Sequence, residues 1–218
     1  SRFCWCITLL MKSVNGSLVR ATMTMNQAYV NSKCVLIVSI KLQHMKRTGW
    51  VIKNIMDPET VAGHMYRMAM LAFLVDPADN LDKMKIMQMA LIHDLAECIV
   101  GDITPHCGVS PEEKHKREDD AMISICALLG DKGDSLLQMF REYEKQESAE
   151  AQYVKDLDRL DLIMQAYEYE RRDNIPGKLD EFFVATNGRI RHPFINKVAD
   201  AINSKRNNLR DNPLNERL

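Results

Sequence analysis

The chain has 218 residues, of which 46% are hydrophobic and 27% charged, a balance that fits one ordinary globular domain and excludes wholesale disorder. Gly and Pro together number 16, aromatic residues make up 6%, and no apolar run approaches the roughly 18 residues of a spanning helix, which argues against a turn-rich β-sandwich and against a membrane protein. The formal net charge of −1 gives no global field to attract a nucleic-acid polymer.

That charge is unevenly placed: residues 1–56 hold eight Lys/Arg and no acid, whereas residues 57–218 hold all 30 acids against 21 Lys/Arg. Chemistry that uses carboxylates therefore lies after residue 56. Residues 1–33 are expected to form a leader outside the domain. Their run at 3–11 is apolar and follows Arg2, and the acid-free stretch faintly resembles a transit peptide.

From residue 34 the pattern is helical. Residues 34–45 offer Val35, Leu36, Val38 and Leu42 to one face. Asp57-Pro58 reads as an N-cap with Pro at the first helical position, opening a helix to about residue 75 that buries Val61, Met65, Met68, Ala69 and Ala72. Asp76-Pro77 ends it. The next helix is expected from 81 to 100, carrying Ile86, Met89, Ala90 and His93 and stopping at Gly101. After a loop at 102–109, Ser110-Pro111-Glu112-Glu113 reads as a capping box for a helix to residue 129, closed by Gly130. Segments 134–146, 148–172, 179–185 and 193–206 supply four more, and Asn174-Ile175-Pro176-Gly177 stops the longest. With no alternating strand and no repeat, the fold class is all-α: a helical bundle over 34–206, followed by a polar tail at 207–218.

The six cysteines, at 4, 6, 34, 98, 107 and 126, form no CxxC pair. They read as separate thiols suited to a reducing compartment. A cytoplasmic location is expected on that ground, with mitochondrial import through the acid-free N-terminus as the alternative.

The segment richest in chemistry is His93-Asp94-Leu95-Ala96-Glu97, followed by Gly101-Asp102-Ile103. An imidazole beside a carboxylate can ligate a divalent cation if both reach one cavity. Glu97 is i+4 from His93 and would share its face, and Asp102 sits just past the helix. Taken alone, a His beside an Asp is more often a pair of solvated polar residues. Two observations shift the balance. The pair adjoins an apolar face, where polar groups need partners, and further ligands stand elsewhere: His64 in Gly63-His64-Met65-Tyr66-Arg67, and Asp158 in Val154-Lys155-Asp156-Leu157-Asp158-Arg159-Leu160-Asp161.

The order His…His-Asp…Asp on helices resembles the HD-domain superfamily of metal-dependent phosphohydrolases. Arg47-Thr48-Gly49-Trp50, Pro58-Glu59-Thr60-Val61, His93 to Ile103, Glu112-Glu113-Lys114-His115, Glu142-Tyr143-Glu144 and Ser148-Ala149-Glu150-Ala151 are similar to its 5′-deoxynucleotidase branch over about residues 35–205. The resemblance implies an HD-domain helical bundle, a homodimer, and hydrolysis of nucleoside 5′-monophosphates with deoxynucleotides favoured. It also implies that His64, His93, Asp94 and Asp158 bind a first metal, that Glu97 and Asp102 are catalytic, and that Glu97, Asp102 and the Ile103 carbonyl hold any second cation. Arg47 and Trp50 match positions lining the nucleotide pocket, and Lys114 and Arg117 are further phosphate candidates. The donor set suits Mn²⁺, Co²⁺, Zn²⁺ or Fe²⁺ better than Mg²⁺. Gly63 departs from the branch, which usually has an acid before this His, and Ile40 replaces a small residue. Two rival readings are a hydrolase of cyclic or pyrophosphorylated nucleotides and a non-catalytic nucleotide-sensing module.

Overall fold

A computed structural model describes residues 19–211 of the chain. The apolar run at 3–11, with Cys4 and Cys6, lies outside the described residues, as does the tail from 212. The described residues form ten α-helices and no strand. Helix α1, Val19–His44, runs straight through the expected boundary at residue 33. Helix α10, Pro193–Asp211, likewise runs past the expected start of the tail at 207.

The short helix α2, Thr48–Ile52, is tied to the segment at 59–61 by an isolated antiparallel bridge between Lys46 and Thr60. Arg47 N donates to the Glu59 carbonyl at 3.1 Å, and Val61 N donates to the Met45 carbonyl at 2.9 Å. This bridge overturns the expected cap. Residues 59 and 60 are extended, so the cap of α3, Val61–Leu71, is Thr60 rather than Asp57, and the Thr60 side chain accepts from Gly63 N.

The helix expected from 81 to 100 is broken. Helix α4, Lys83–Ala90, opens on an Asp82 cap, but turns fill 91–96 before α5, Glu97–Val100. Through the break, Ile92, Leu95, Glu97 and Cys98 donate to carbonyls three residues back, a tighter winding than the α-helix. Gly101, at φ +83, ends the segment in the left-handed region.

Ser110 caps α6, Pro111–Ala127, through its bond from Glu113 N. Helix α7, Asp131–Lys145, starts three residues earlier than expected. Ser148 caps α8, Ala149–Arg172, and α9, Asp180–Thr186, comes next. Helix α8 is the pillar of the bundle and packs against α3, α4, α7, α9 and α10. Its buried residues therefore point in several directions, from Ala151 and Val154 to Leu157, Ile163 and Tyr167.

Two apolar cores result. One surrounds α8 with Met68, Ile86, Met89 and Ile195; the other joins α1, α3, α6 and α7 through Leu42, Met65, Met122 and Phe140. Helix α3 feeds both, Met68 one and Met65 the other, so the fully buried His64 sits on their seam.

Candidate metal centre

Both imidazoles are fixed from behind. His64 Nδ1 lies 2.7 Å from Asp161 Oδ2 and His93 Nδ1 lies 2.9 Å from the Ala90 carbonyl. Each partner is an acceptor, so each Nδ1 carries the hydrogen and each Nε2 presents its lone pair inward. These lone pairs meet oxygens: His64 Nε2 is 3.6 Å from Asp94 Oδ2 and 3.4 Å from Asp158 Oδ1, and His93 Nε2 is 3.2 Å from Asp94 Oδ2. Neither Nε2 has a hydrogen-bond partner, though both are buried. Lone pairs facing carboxylates repel unless a proton or a cation stands between them, and a buried unpaired acceptor is costly. The donor atoms of His64, His93 and Asp94 lie within 4.8 Å of one another, and Asp158 Oδ1 adjoins them through His64 Nε2. Two imidazoles and two carboxylates so arranged fit one divalent cation.

The electrostatics report the same demand. Burial and Arg47 push His64 down, yet Asp158 and Asp161 outweigh them and lift it to about 9. Burial pushes Asp94 up, but His93, Arg47 and His64 hold it below the usual carboxylate range. Asp158 is likewise held down against burial, by Lys155 and His64. Burial, with Asp94 and Asp102 nearby, drives Glu97 well above the usual range. Glu97 is 2% exposed and its Oε2 is without a partner.

Helix α2 delivers two groups at its start. Arg47 Nη1 is 3.1 Å from Asp94 Oδ2, Thr48 N donates to Asp102 Oδ2 at 2.6 Å, and Asp102 is thereby held beside Glu97. A cavity of about 250 Å³ opens from His93 and Asp94, and Ile103, Lys114, Glu118 and Lys155 are among its lining residues. Two larger cavities, of about 550 and 600 Å³, hold none of the metal-binding candidates.

Two expected substrate contacts fall elsewhere. Trp50 is 1% exposed, its indole N–H donates to Glu59 Oε1 at 2.9 Å, and its ring packs on Tyr169 and Phe182. No face remains on which a base could stack. Arg117 is tied to Glu113 on the outside of α6 and does not line the cavity.

Sequence reasoning missed five contributors. Asp161 accepts from His64 and also from Arg67 Nε and Nη2, at 2.8 and 2.7 Å; Arg67 in turn pairs with Glu59. This chain of ion pairs supports His64 from behind, so Gly63 leaves its position intact. Lys155 Nζ donates to Asp158 Oδ2 at 2.9 Å and to the Tyr143 hydroxyl at 3.1 Å. The signal was present: Lys155 and Asp161 stand three residues either side of Asp158, on its helical face, and Arg67 is three residues from His64.

The family model described as "HD domain" matches residues 40–198. A curated relative, "5'-deoxynucleotidase HDDC2" of Danio rerio, is 47% identical over 167 residues, covering 76% of this chain and 83% of that protein. The protein of the same name from Homo sapiens is 44% identical over 76% of this chain and 81% of its own length. Among solved structures, the PH0347 protein from Pyrococcus horikoshii OT3 superposes with a TM-score of 0.62 at 31% identity, covering 79% of this chain and 96% of that one.

Proposed function

The chain belongs to the HD-domain family, and from that premise we propose that it is a metal-dependent 5′-deoxynucleotidase, hydrolysing 2′-deoxynucleoside 5′-monophosphates to nucleoside and phosphate. The observation that carries this reading is the grouping of His64 Nε2, His93 Nε2 and Asp94 within 4.8 Å, with Asp158 beside His64 Nε2, at a cavity bearing Lys114 and Lys155. Curated relatives named 5′-deoxynucleotidase at 44–47% identity support the same chemistry.

His64, His93, Asp94 and Asp158 hold the divalent cation, which when bound supplies Lewis-acid polarisation of a phosphoryl oxygen and a water of lowered pKa. Glu97 is the proton-transfer group. Its orphaned Oε2, and the rise in proton affinity that burial beside Asp94 and Asp102 gives it, let it carry a proton and deliver it to the departing 5′-oxygen. Asp102, anchored on Thr48 N, orients the attacking water or assists a second cation together with Glu97 and the Ile103 carbonyl. Arg47 balances the carboxylates and faces the same point as a phosphate would, and Lys114 and Lys155 add cationic charge at the cavity wall. The mixed nitrogen and oxygen donors favour Mn²⁺, Co²⁺, Zn²⁺ or Fe²⁺ over Mg²⁺.

The test is phosphate release from a panel of 2′-deoxy- and ribonucleoside 5′-monophosphates with Mn²⁺ or Co²⁺, beside 3′-monophosphates, cyclic nucleotides and pyrophosphorylated nucleotides. Turnover confined to 5′-monophosphates, faster with deoxyribose, is the expected result. Activity only on cyclic or pyrophosphorylated nucleotides refutes the assignment. Two finer points complete the proposal: a homodimer, which the family resemblance implies and sedimentation equilibrium tests, and a cytoplasmic location, which the free thiols of Cys34, Cys98, Cys107 and Cys126 favour. No helix among the described residues is long and apolar enough to cross a membrane.

A further inference from the structure

The cavity that opens from the metal centre has a second polar end. Besides His93 and Asp94, Lys114, His115 and Glu118 of α6 and Glu144 of α7 line it. Glu118 is 7% exposed. Its nearest cation, Lys114 Nζ, is 3.6 Å away, too long for a hydrogen bond, and no hydrogen bond reaches the carboxyl among the described residues. His115 Nδ1 is 2.6 Å from Glu144 Oε2 at the exposed edge of the same wall. The donor atoms of His115, Glu118 and Glu144 lie within 4.8 Å of one another. A second metal fits them poorly, because the Lys114 ammonium already supplies the positive charge beside Glu118. A largely buried carboxyl that lines the cavity and makes no hydrogen bond within the protein can take a neutral polar partner there instead.

The substrate class has one to offer. With its phosphate at the metal centre, a 2′-deoxynucleoside 5′-monophosphate must direct its sugar into this cavity, and that sugar carries a single hydroxyl, at C3′. We propose that Glu118 is the specificity-determining residue that hydrogen-bonds this 3′-hydroxyl, with the His115–Glu144 pair walling the subsite. This inference rests on the monophosphatase reading above. A hydroxyl both donates and accepts, so it pairs with the carboxyl in either protonation state. That latitude matters, because burial, helped by Glu144 and Asp94 against Lys114, raises Glu118 to about 7. Lys114 links the two ends of the cavity: Glu118, Asp94 and Glu97 together outweigh its burial and keep it charged. The cavity, at about 250 Å³, lies below the roughly 300–1,000 Å³ typical of sites that enclose a drug-sized ligand. It has room for the phosphate and sugar and leaves the base at the mouth.

The experiment compares kcat/KM for 2′-deoxyadenosine 5′-monophosphate and 2′,3′-dideoxyadenosine 5′-monophosphate in the Mn²⁺-loaded wild type, Glu118→Gln and Glu118→Ala. The wild type is expected to favour the substrate with the 3′-hydroxyl by about 10- to 100-fold, the usual discrimination when a buried polar group loses its partner. In Glu118→Ala that preference falls to about threefold or less, while turnover of the dideoxy substrate is retained. Glu118→Gln, which still offers an amide oxygen, keeps an intermediate preference. A structural role for Glu118 would lower both substrates together, so parallel loss in both variants overturns the proposal, as does an unchanged preference in Glu118→Ala. If the wild type hydrolyses no monophosphate at all, the monophosphatase reading and the sugar contact fall together. A wild type that hydrolyses both substrates equally overturns only the sugar contact.

Discussion

Replacing Asp161, which never touches the reaction centre, tests whether the centre is built to hold a cation. Asp161 is 3% exposed and receives the Nδ1 hydrogen of His64 at 2.7 Å. That bond fixes the tautomer that turns Nε2 toward Asp94 and Asp158. Asp161→Ala removes the acceptor and lets the ring turn or change tautomer. Asp161→Asn keeps an oxygen for the hydrogen but loses the charge that makes the imidazole a stronger ligand. Loss of such a supporting partner typically weakens metal affinity by about 10- to 100-fold, or about 1.4–2.7 kcal/mol. Arg67 loses the same partner, but its side chain is 37% exposed and retains Glu59, so the fold should tolerate both changes. Calorimetric titration of the metal-free protein with Mn²⁺ or Zn²⁺ should rank wild type above Asn and Asn above Ala, with circular dichroism confirming equal helix content. Wild-type affinity in a folded Asp161→Ala protein would refute the claim that His64 is a positioned ligand.

Glu97→Gln should lower turnover by about 10²- to 10⁴-fold, the usual contribution of a positioned acid or base, while metal affinity by the same titration changes little; near-wild-type turnover would remove Glu97 from the mechanism. The His64 proton sets a pH dependence. Its folded pKa, about 9 without metal, lies above the ordinary value near 6.5, so the metal-free protein holds a proton that the cation must displace. Affinity should rise with pH by up to about tenfold per unit as pH climbs toward about 9 and then level off. By the same linkage, the stability His64 gives the metal-free protein is fully present below about pH 6.5 and is lost as pH rises through about 9, so thermal melts at pH 9.5 should lie below those at pH 6.5. In the bundle, a Cβ on Gly133 would come 2.1 Å from the Cys126 carbonyl oxygen. Gly133→Ala should therefore push α6 and α7 apart at a cost of about 1–3 kcal/mol, seen as a lower melting temperature, and an unchanged melt would show that the helices shift freely.

The all-α class and the His…His-Asp…Asp ligand order were legible because they depend on short-range patterns: caps such as Ser110 and Ser148, apolar spacing on α3, and residue types with metal-ligand chemistry. What escaped depends on contacts between distant segments. Thr60 rather than Asp57 caps α3 because the bridge to Lys46 forces the preceding residues to be extended. Trp50 fits core and pocket equally well on sequence alone, and Tyr169, Phe182 and Glu59 decide it by closing around the ring. Asp161 reads as one of three acids on a solvated face, and only the packing of α8 against α3 turns it toward His64. Arg117 stands close to Lys114 on α6, and only its pairing with Glu113 at the surface separates it from Lys114, which lines the cavity.

The broken helix after Ala90 is the departure with the clearest chemical consequence. On a regular α-helix, neighbouring side chains diverge by about 100°, so a His and the Asp after it cannot both aim at one cation. Here the segment from 91 to 96 winds more tightly, with bonds to carbonyls three residues back. The Ala90 carbonyl is free to accept the His93 side chain rather than only backbone N–H groups. The result is that His93 Nε2 and Asp94 Oδ2 stand 3.2 Å apart with His64 Nε2 on the other side of the same oxygen. Glu97 reaches the centre for the same reason: it opens a new helical turn after the break rather than continuing the face of His93. The local irregularity converts two adjacent residues into two ligands, and the apolar packing of Met89, Ala90 and Ile92 on either core holds that irregularity in place.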